Sequence, residues 1–272
     1  MEFKEKLDKT VKRNDSLLCI GLDPEISKFP KSIQTKKDPI FQFNKAIVGA
    51  TAPLVCVYKP NIAFYEAYGL EGLEQLKKTI EFLQKNYPQI PVILDAKRGD
   101  IGNTAKMYAK ALFEYWNADA ATVYPHLGLD SLKPFFEYKN KLTILLLKTS
   151  NPDSKMFQDM KVGNEPYYLK IAKKIKSWKY ANFGLFVGAT YPAELKKVRS
   201  LFPNRVFLTA GLGAQKGEVR DAVLAGLDKE KKGIMFNASR SILYASQDVD
   251  FAKKASEEAK KLRDLINQYR YP

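Results

Sequence analysis

Residues 95–100 read DAKRGD and follow directly on the apolar run PVIL at 91–94. Four of the six are charged, two of each sign, and Asp95, Lys97 and Asp100 stand at i, i+2 and i+5. One charge in a turn leaving so apolar a strand is unremarkable, and a solvated loop is one reading of all of them. The other is a lysine kept charged by the carboxylates beside it, a type of cation that suits electrostatic or general-acid chemistry. Alternation along a strand puts Asp95 and Lys97 on one face, away from Ala96.

Other polar residues occupy the same kind of position. Asp23 ends the first apolar run, Lys59 and Asn61 the second, and Thr149, Ser150 and Asn151 the fifth. The glycine-rich GLGAQKG (211–217) follows the seventh, and Asn237, Ser239 and Arg240 end the eighth. Any one of these reads as a solvated rim residue; all of them at strand exits do not.

The elements that must position them alternate from end to end. Strands are expected at LLCIGLD (17–23), LVCVYKP (54–60), PVILDAK (91–97), DAATVYP (119–125), LTILLLKTS (142–150), FGLFVGAT (183–190), RVFLTAG (205–211) and GIMFNAS (233–239). Between and after them lie stretches with the apolar recurrence of one-sided helices, such as LEGLEQLKKTIEFLQKNY and FAKKASEEAKKLRDLINQY. In NTAKMYAKALFEYW the stripe is expected to run through Met107, Ala111 and Leu112. Eight strands each followed by a helix predict a parallel sheet buried on both faces, closed as a (β/α)8 barrel, with residues 1–272 as a single domain. An open doubly wound sheet would carry a glycine fingerprint at its first turn, and none is present. Residues 151–166 form the longest apparent loop, and loops of that length in compact domains tend to be functional. A barrel places its chemistry at the C-terminal ends of its strands, where the charges above fall.

Composition narrows the class. The chain has 272 residues, 45% hydrophobic and 28% charged, which excludes a disordered segment. No apolar run reaches the length of a membrane span, and the N-terminus has no signal-like core, so a cytoplasmic protein without membrane association is expected. Cys19 and Cys56 lie inside apolar runs and read as core residues. The net charge of +15 is spread over amphipathic stretches with no basic block or nucleic-acid motif, so nucleic acid is not expected as a partner.

LDAKRGDIGNT (94–104) matches the DxKxxDIxxT motif of orotidine 5′-phosphate decarboxylases. LDP (22–24), YKPN (58–61), KTSNP (148–152), GLGAQ (211–215) and SR (239–240) resemble that family's other blocks, in its order. The resemblance covers nearly the whole chain and is closest to the longer bacterial form. It implies a homodimeric (β/α)8 barrel that converts orotidine 5′-monophosphate to UMP and CO2 without metal or cofactor. By that resemblance Lys59, Asp95 and Lys97 share one active site, and Asp100 completes a Lys-Asp-Lys-Asp array across the dimer interface, with Ile101 and Thr104 crossing beside it. Asp23 and Asn61 would bind the ribose, Ser150 the pyrimidine edge, and Gln215 and Arg240 the phosphate. Lys97 would protonate the C6 carbanion left by CO2.

Two positions depart from the family's usual PGxGAQGG block: Ala210 stands before Gly211, and Lys216 follows Gln215. The single histidine, His126 in VYPHLG, reads as a pocket-wall or supporting residue, since no second histidine accompanies it. Related sugar-phosphate barrels share the DxKxxD block but hold Mg²⁺ through further carboxylates; Lys59 is a poor neighbour for such a cation. A basic nucleic-acid-binding barrel with a decayed site is the reading from another class.

Overall fold

The computed structural model describes residues 1–212 and 216–271. All eight expected strands are present: β1 Leu18–Leu22, β2 Val57–Pro60, β3 Ile93–Arg98, β4 Ala120–Val123 and β5 Leu142–Lys148, then, after a two-stranded hairpin of β6 Lys161–Val162 and β7 Glu165–Pro166, β8 Phe183–Val187, β9 Phe207–Ala210 and β10 Ile234–Ala238. The main sheet is parallel in the order β2-β1-β10-β9-β8-β5-β4-β3. Bridges Tyr58–Val92 and Asn61–Asp95 join its two edge strands, closing the (β/α)8 barrel. Closure abolishes both open edges. The strands read as unbroken apolar runs because helices cover their outer faces while side chains fill the interior; β5 is buried at every position.

Two local expectations need correction. In the helix Gly102–Lys110 and its continuation, the buried residues are Ala105, Ala109, Leu112, Phe113 and Trp116, whereas Met107 is 60% exposed. The covered face is led by two alanines, Ala105 and Ala109. Residues Ala111–Tyr115 widen into a π turn, in which the Trp116 N–H reaches Ala111 O five residues back (2.9 Å). Segment 151–166 is not structureless: it holds the helix Ser154–Gln158 and the β6–β7 hairpin. Its tether is the fully buried Lys148, whose ammonium donates to Asp159 Oδ1 (2.7 Å) and Ser154 Oγ (3.3 Å) and lies 4.6 Å from the Tyr191 ring centre.

The charged N-terminal stretch forms a further helix, Phe3–Asn14, that buries Phe3, Leu7, Thr10 and Val11. It lies beside a basic cleft of about 790 Å³ at the N-terminal ends of β5, β8 and β9, at the foot of the barrel. Cys19 and Cys56 are free and buried, and burial pushes both thiols far up.

Candidate active site

The strand exits converge on a second cavity of about 620 Å³ at the opposite end of the barrel. Asp23, Lys59, Asn61, Asp95, Lys97 and Ser150 all line it, each from its expected strand end. At its centre Asp95 is shared by two lysines. Lys59 Nζ donates to Asp95 Oδ2 (2.9 Å) and Lys97 Nζ to Oδ1 (2.8 Å), while Thr122 Oγ1 donates to the same Oδ1 (2.7 Å). Burial pushes the Asp95 carboxyl up, but the charges of Lys59 and Lys97 and the two hydrogen bonds to Oδ1 overcome it, holding the group far below the carboxylate range. Burial likewise opposes charge on Lys59, and the carboxylates of Asp95 and Asp23 outweigh it, so the ammonium is held more firmly than in water.

Lys59 and Asp95 are almost sealed, with side chains 5% and 9% exposed, whereas Lys97 is 41% exposed and reaches into the cavity. The arrangement is a graded array: a buried cation, a buried anion, then a cation presented to a ligand.

The backbone of β3 explains how Lys97 is presented. Against β4, Leu94 pairs with Ala121 and Arg98 with Val123, so four steps along β3 match two along β4. The excess is taken up in a bulge with Lys97 at φ +47°, a left-handed conformation that costs a non-glycine residue energy. Asp95 and Lys97 do meet, yet through this bulge and not through regular alternation. Beyond it Arg98 is clamped by Glu66 (2.9 Å) and its own Ala96 carbonyl (2.9 Å), fixing the strand's exit.

Asp23 Oδ1 is buried with no hydrogen-bond partner among the described residues, and lies 4.0 Å from Lys59 Nζ. An unmet buried acceptor costs free energy unless a ligand supplies the donor. Asn61 turns its Oδ1 to the Ala63 N–H (3.2 Å), an Asx turn that leaves its amide NH2 for the cavity side. Ser150 is packed between two glycines: a Cβ on Gly188 would sit 2.9 Å from the Ser150 Cα, and one on Gly211 3.1 Å from its Cβ, with Gly211 also at φ +86°.

Four expected residues are not brought into this cavity by their own chain. Asp100, Ile101 and Thr104 lie on the turn and first helical turn after β3. Asp100 is half-buried, caps the Ile101 N–H (2.8 Å) and makes no ion pair among the described residues. Arg240 is exposed at the start of the helix Arg240–Leu243. Gln215 lies outside the described residues. His126 is partly exposed, its ring stacked between Tyr124 and Tyr167 at distances of 6.0 and 5.9 Å, and that partial burial lowers its proton affinity. It does not line the cavity, though Tyr124 does.

Sequence reasoning missed Thr122, Gln158 and the apolar wall of Met156, Phe157, Phe186 and Leu208. The only signal for Met156 and Phe157 was the length of their segment; both are more than two-thirds exposed.

A family model described as Orotidine 5′-phosphate decarboxylase / HUMPS family matches residues 16–255. The orotidine 5′-phosphate decarboxylase of Thermomicrobium roseum is 45% identical over 99% of this chain and 96% of its own, and that of Ralstonia nicotianae 44% over 99% and 100%. The solved structure of Leishmania donovani OMP decarboxylase superposes with a TM-score of 0.86 at 36% identity, covering both chains entirely.

Proposed function

The chain belongs to the orotidine 5′-phosphate decarboxylase family of carboxy-lyases, and from that premise we propose a metal- and cofactor-free decarboxylation of orotidine 5′-monophosphate to UMP in pyrimidine biosynthesis. The observation that carries the reading is Asp95 bridging Lys59 and Lys97 at the floor of the cavity. The bond from C6 to the carboxyl carbon breaks, the electron pair stays on C6, CO2 leaves, and the Lys97 ammonium delivers its proton to C6. Neutral Lys97 is then reprotonated from the solvent it already touches. The held charges need no reorganisation as the carbanion develops, which is where electrostatic catalysis gains most.

The rest of the pocket binds. Asp23, with its unmet oxygen, and Asn61 take the ribose hydroxyls, and Ser150 reads the pyrimidine edge. Gln215 and Arg240 hold the phosphate, far from C6, so that remote binding energy is realised in the transition state. Both oxygens of Asp95 are committed to ammonium groups, and among the described residues no three carboxylate, histidine or cysteine side chains cluster to hold a metal ion; this favours the metal-free branch over magnesium-dependent sugar-phosphate barrels.

In this reading Asp100 serves a second subunit. It does not line its own cavity, and exposed apolar side chains, Leu70, Ile101, Met107 and Leu127, follow the neighbouring strands β2, β3 and β4. A homodimer that buries them would set Asp100, Ile101 and Thr104 of one subunit against the pocket of the other. Among the described residues no helix is long and apolar enough to cross a membrane. The test is the absorbance change on adding orotidine 5′-monophosphate to purified protein freed of metal with EDTA. Turnover in EDTA supports the proposal; activity that appears only with Mg²⁺ overturns it.

A further inference from the structure

Thr122 sits in the middle of β4, almost fully buried, beneath the cavity floor. Its hydroxyl does two things at once: it donates to Asp95 Oδ1 (2.7 Å) and accepts the Lys97 backbone N–H (3.0 Å). The second contact belongs to the irregular stretch of the sheet. Where β3 bulges between Leu94 and Arg98, its register with β4 lapses. The Asp95 carbonyl is turned to β2, accepting the Ile62 N–H (3.3 Å), whereas the Lys97 N–H is turned to β4 and meets the Thr122 side chain. That contact offsets part of the cost of holding Lys97 at φ +47°.

We infer that Thr122 is a positioning residue for the decarboxylation, pinning the backbone of Lys97 and the carboxylate of Asp95 through a single hydroxyl. Serine and threonine alone among common side chains are short enough and can donate and accept in this way. Threonine adds a β-branched χ1 that holds the hydroxyl in one orientation. Lys59 fixes only the far oxygen of Asp95, so without the pin Oδ1 is held by Lys97 alone, the one side chain that must also reach substrate. Aim, not charge, is what the pin supplies.

The inference rests on the proposed decarboxylation, and the experiment separates the two. Thr122→Val keeps the shape and removes the hydroxyl; Thr122→Ser restores the hydroxyl without the methyl. With orotidine 5′-monophosphate as substrate, Thr122→Val should lower kcat by roughly 10- to 100-fold, the scale of a small misplacement of a reacting group. UMP affinity should stay within about twofold, because binding uses other residues. Thr122→Ser should recover most of kcat. Amide hydrogen exchange at Lys97, read without any substrate, should speed up in Thr122→Val and return in Thr122→Ser. If Thr122→Val does not fold, Thr122→Ala serves for the same kcat and UMP comparison.

Wild-type protein without turnover would sink the decarboxylase reading while leaving the exchange result to judge the pin. Unchanged exchange, a kcat within twofold of wild type, a serine variant no better than valine, or parallel loss of kcat and UMP affinity would each overturn the inference.

Discussion

Replacing Lys59 by methionine isolates the buried half of the charge array. The unbranched thioether fills much of the lysine stem's space, so cavity terms stay small and the change is mainly electrostatic. In the wild type the Lys59 ammonium lies 2.9 Å from Asp95 Oδ2 and 4.0 Å from Asp23 Oδ1, with 5% of its side chain exposed. Breaking one partner out of a buried pair costs about 3–5 kcal/mol, because the other charge is left uncompensated. Here both remaining donors, Lys97 and Thr122, act on Oδ1, so Oδ2 loses its partner while the carboxylate keeps some support. The lower end, about 3 kcal/mol, is therefore expected, and for a chain this long that is roughly 6 °C in melting temperature.

The pH dependence gives the sharper check. In the wild type the Asp95 carboxyl is held well below its unfolded value of about 3.9. Its stabilising contribution is therefore full above that pH and is lost only as pH falls through the much lower folded value. In Lys59→Met the burial penalty meets weaker opposition, so the carboxyl rises and picks up its proton at higher pH. The stability gap between the two proteins should then hold from pH 7 to about pH 4 and narrow below it, as the variant's carboxyl takes up its proton before the wild type's does. Thermal melts by circular dichroism from pH 7 to about pH 2.5 measure it. A gap under 2 °C at pH 7, or one that stays constant down to about pH 2.5, would refute the account of Asp95 as a carboxylate held by Lys59.

Three further outcomes are expected. Lys97→Ala should lower turnover by roughly 10⁴-fold, the upper range for a positioned acid, with UMP affinity nearly unchanged by calorimetry; a near-normal rate would remove Lys97 from the chemistry. Asp95→Asn and Asp100→Asn proteins, each inactive, should regain activity on mixing, because some sites in mixed dimers carry neither substitution. Failure with mixed dimers shown to form by mass spectrometry would place Asp100 outside the site. Gly211→Ala forces a side chain to φ +86° and to 3.1 Å from the Ser150 Cβ, so a loss of about 1–2 kcal/mol should appear in thermal melts with weaker UMP binding. An unchanged melting temperature would show that the turn relaxes freely.

The barrel was legible because parallel strands covered on both sides must be apolar throughout, and eight such runs alternate with one-sided helical patterns. The site was legible where chemistry overrides that rule, as at Lys59 and Asp95, charged residues in strands that bury their neighbours. What escaped depended on small or local signals. Phe3, Leu7 and Val11 recur every four residues, a helical face hidden among charges. Ala105 and Ala109 mark a buried face too weakly for hydropathy to outvote Met107. Asp100, Ile101 and Thr104 lie outside their own cavity, and no spacing within one chain shows whether a second subunit receives them.

The least legible feature lies inside the most legible motif. Regular alternation places Asp95 and Lys97 on one face, and the two side chains do meet. A strictly regular β3, however, would turn the Lys97 amide to the β2 side, as it does the Asp95 carbonyl, and leave Thr122 only the Asp95 carboxylate to hold. The observed register spends two extra residues between Leu94 and Arg98, turns Lys97 into a left-handed conformation and brings its N–H onto the Thr122 hydroxyl. That strained stretch sits beside well-paired sheet on both sides, where Ile93 and Leu94 keep their register. The sheet therefore bears the strain at a single residue, the one whose ammonium leaves the barrel wall and reaches into the cavity. DxKxxD names the charges; the bulge between its first aspartate and its arginine is what aims them.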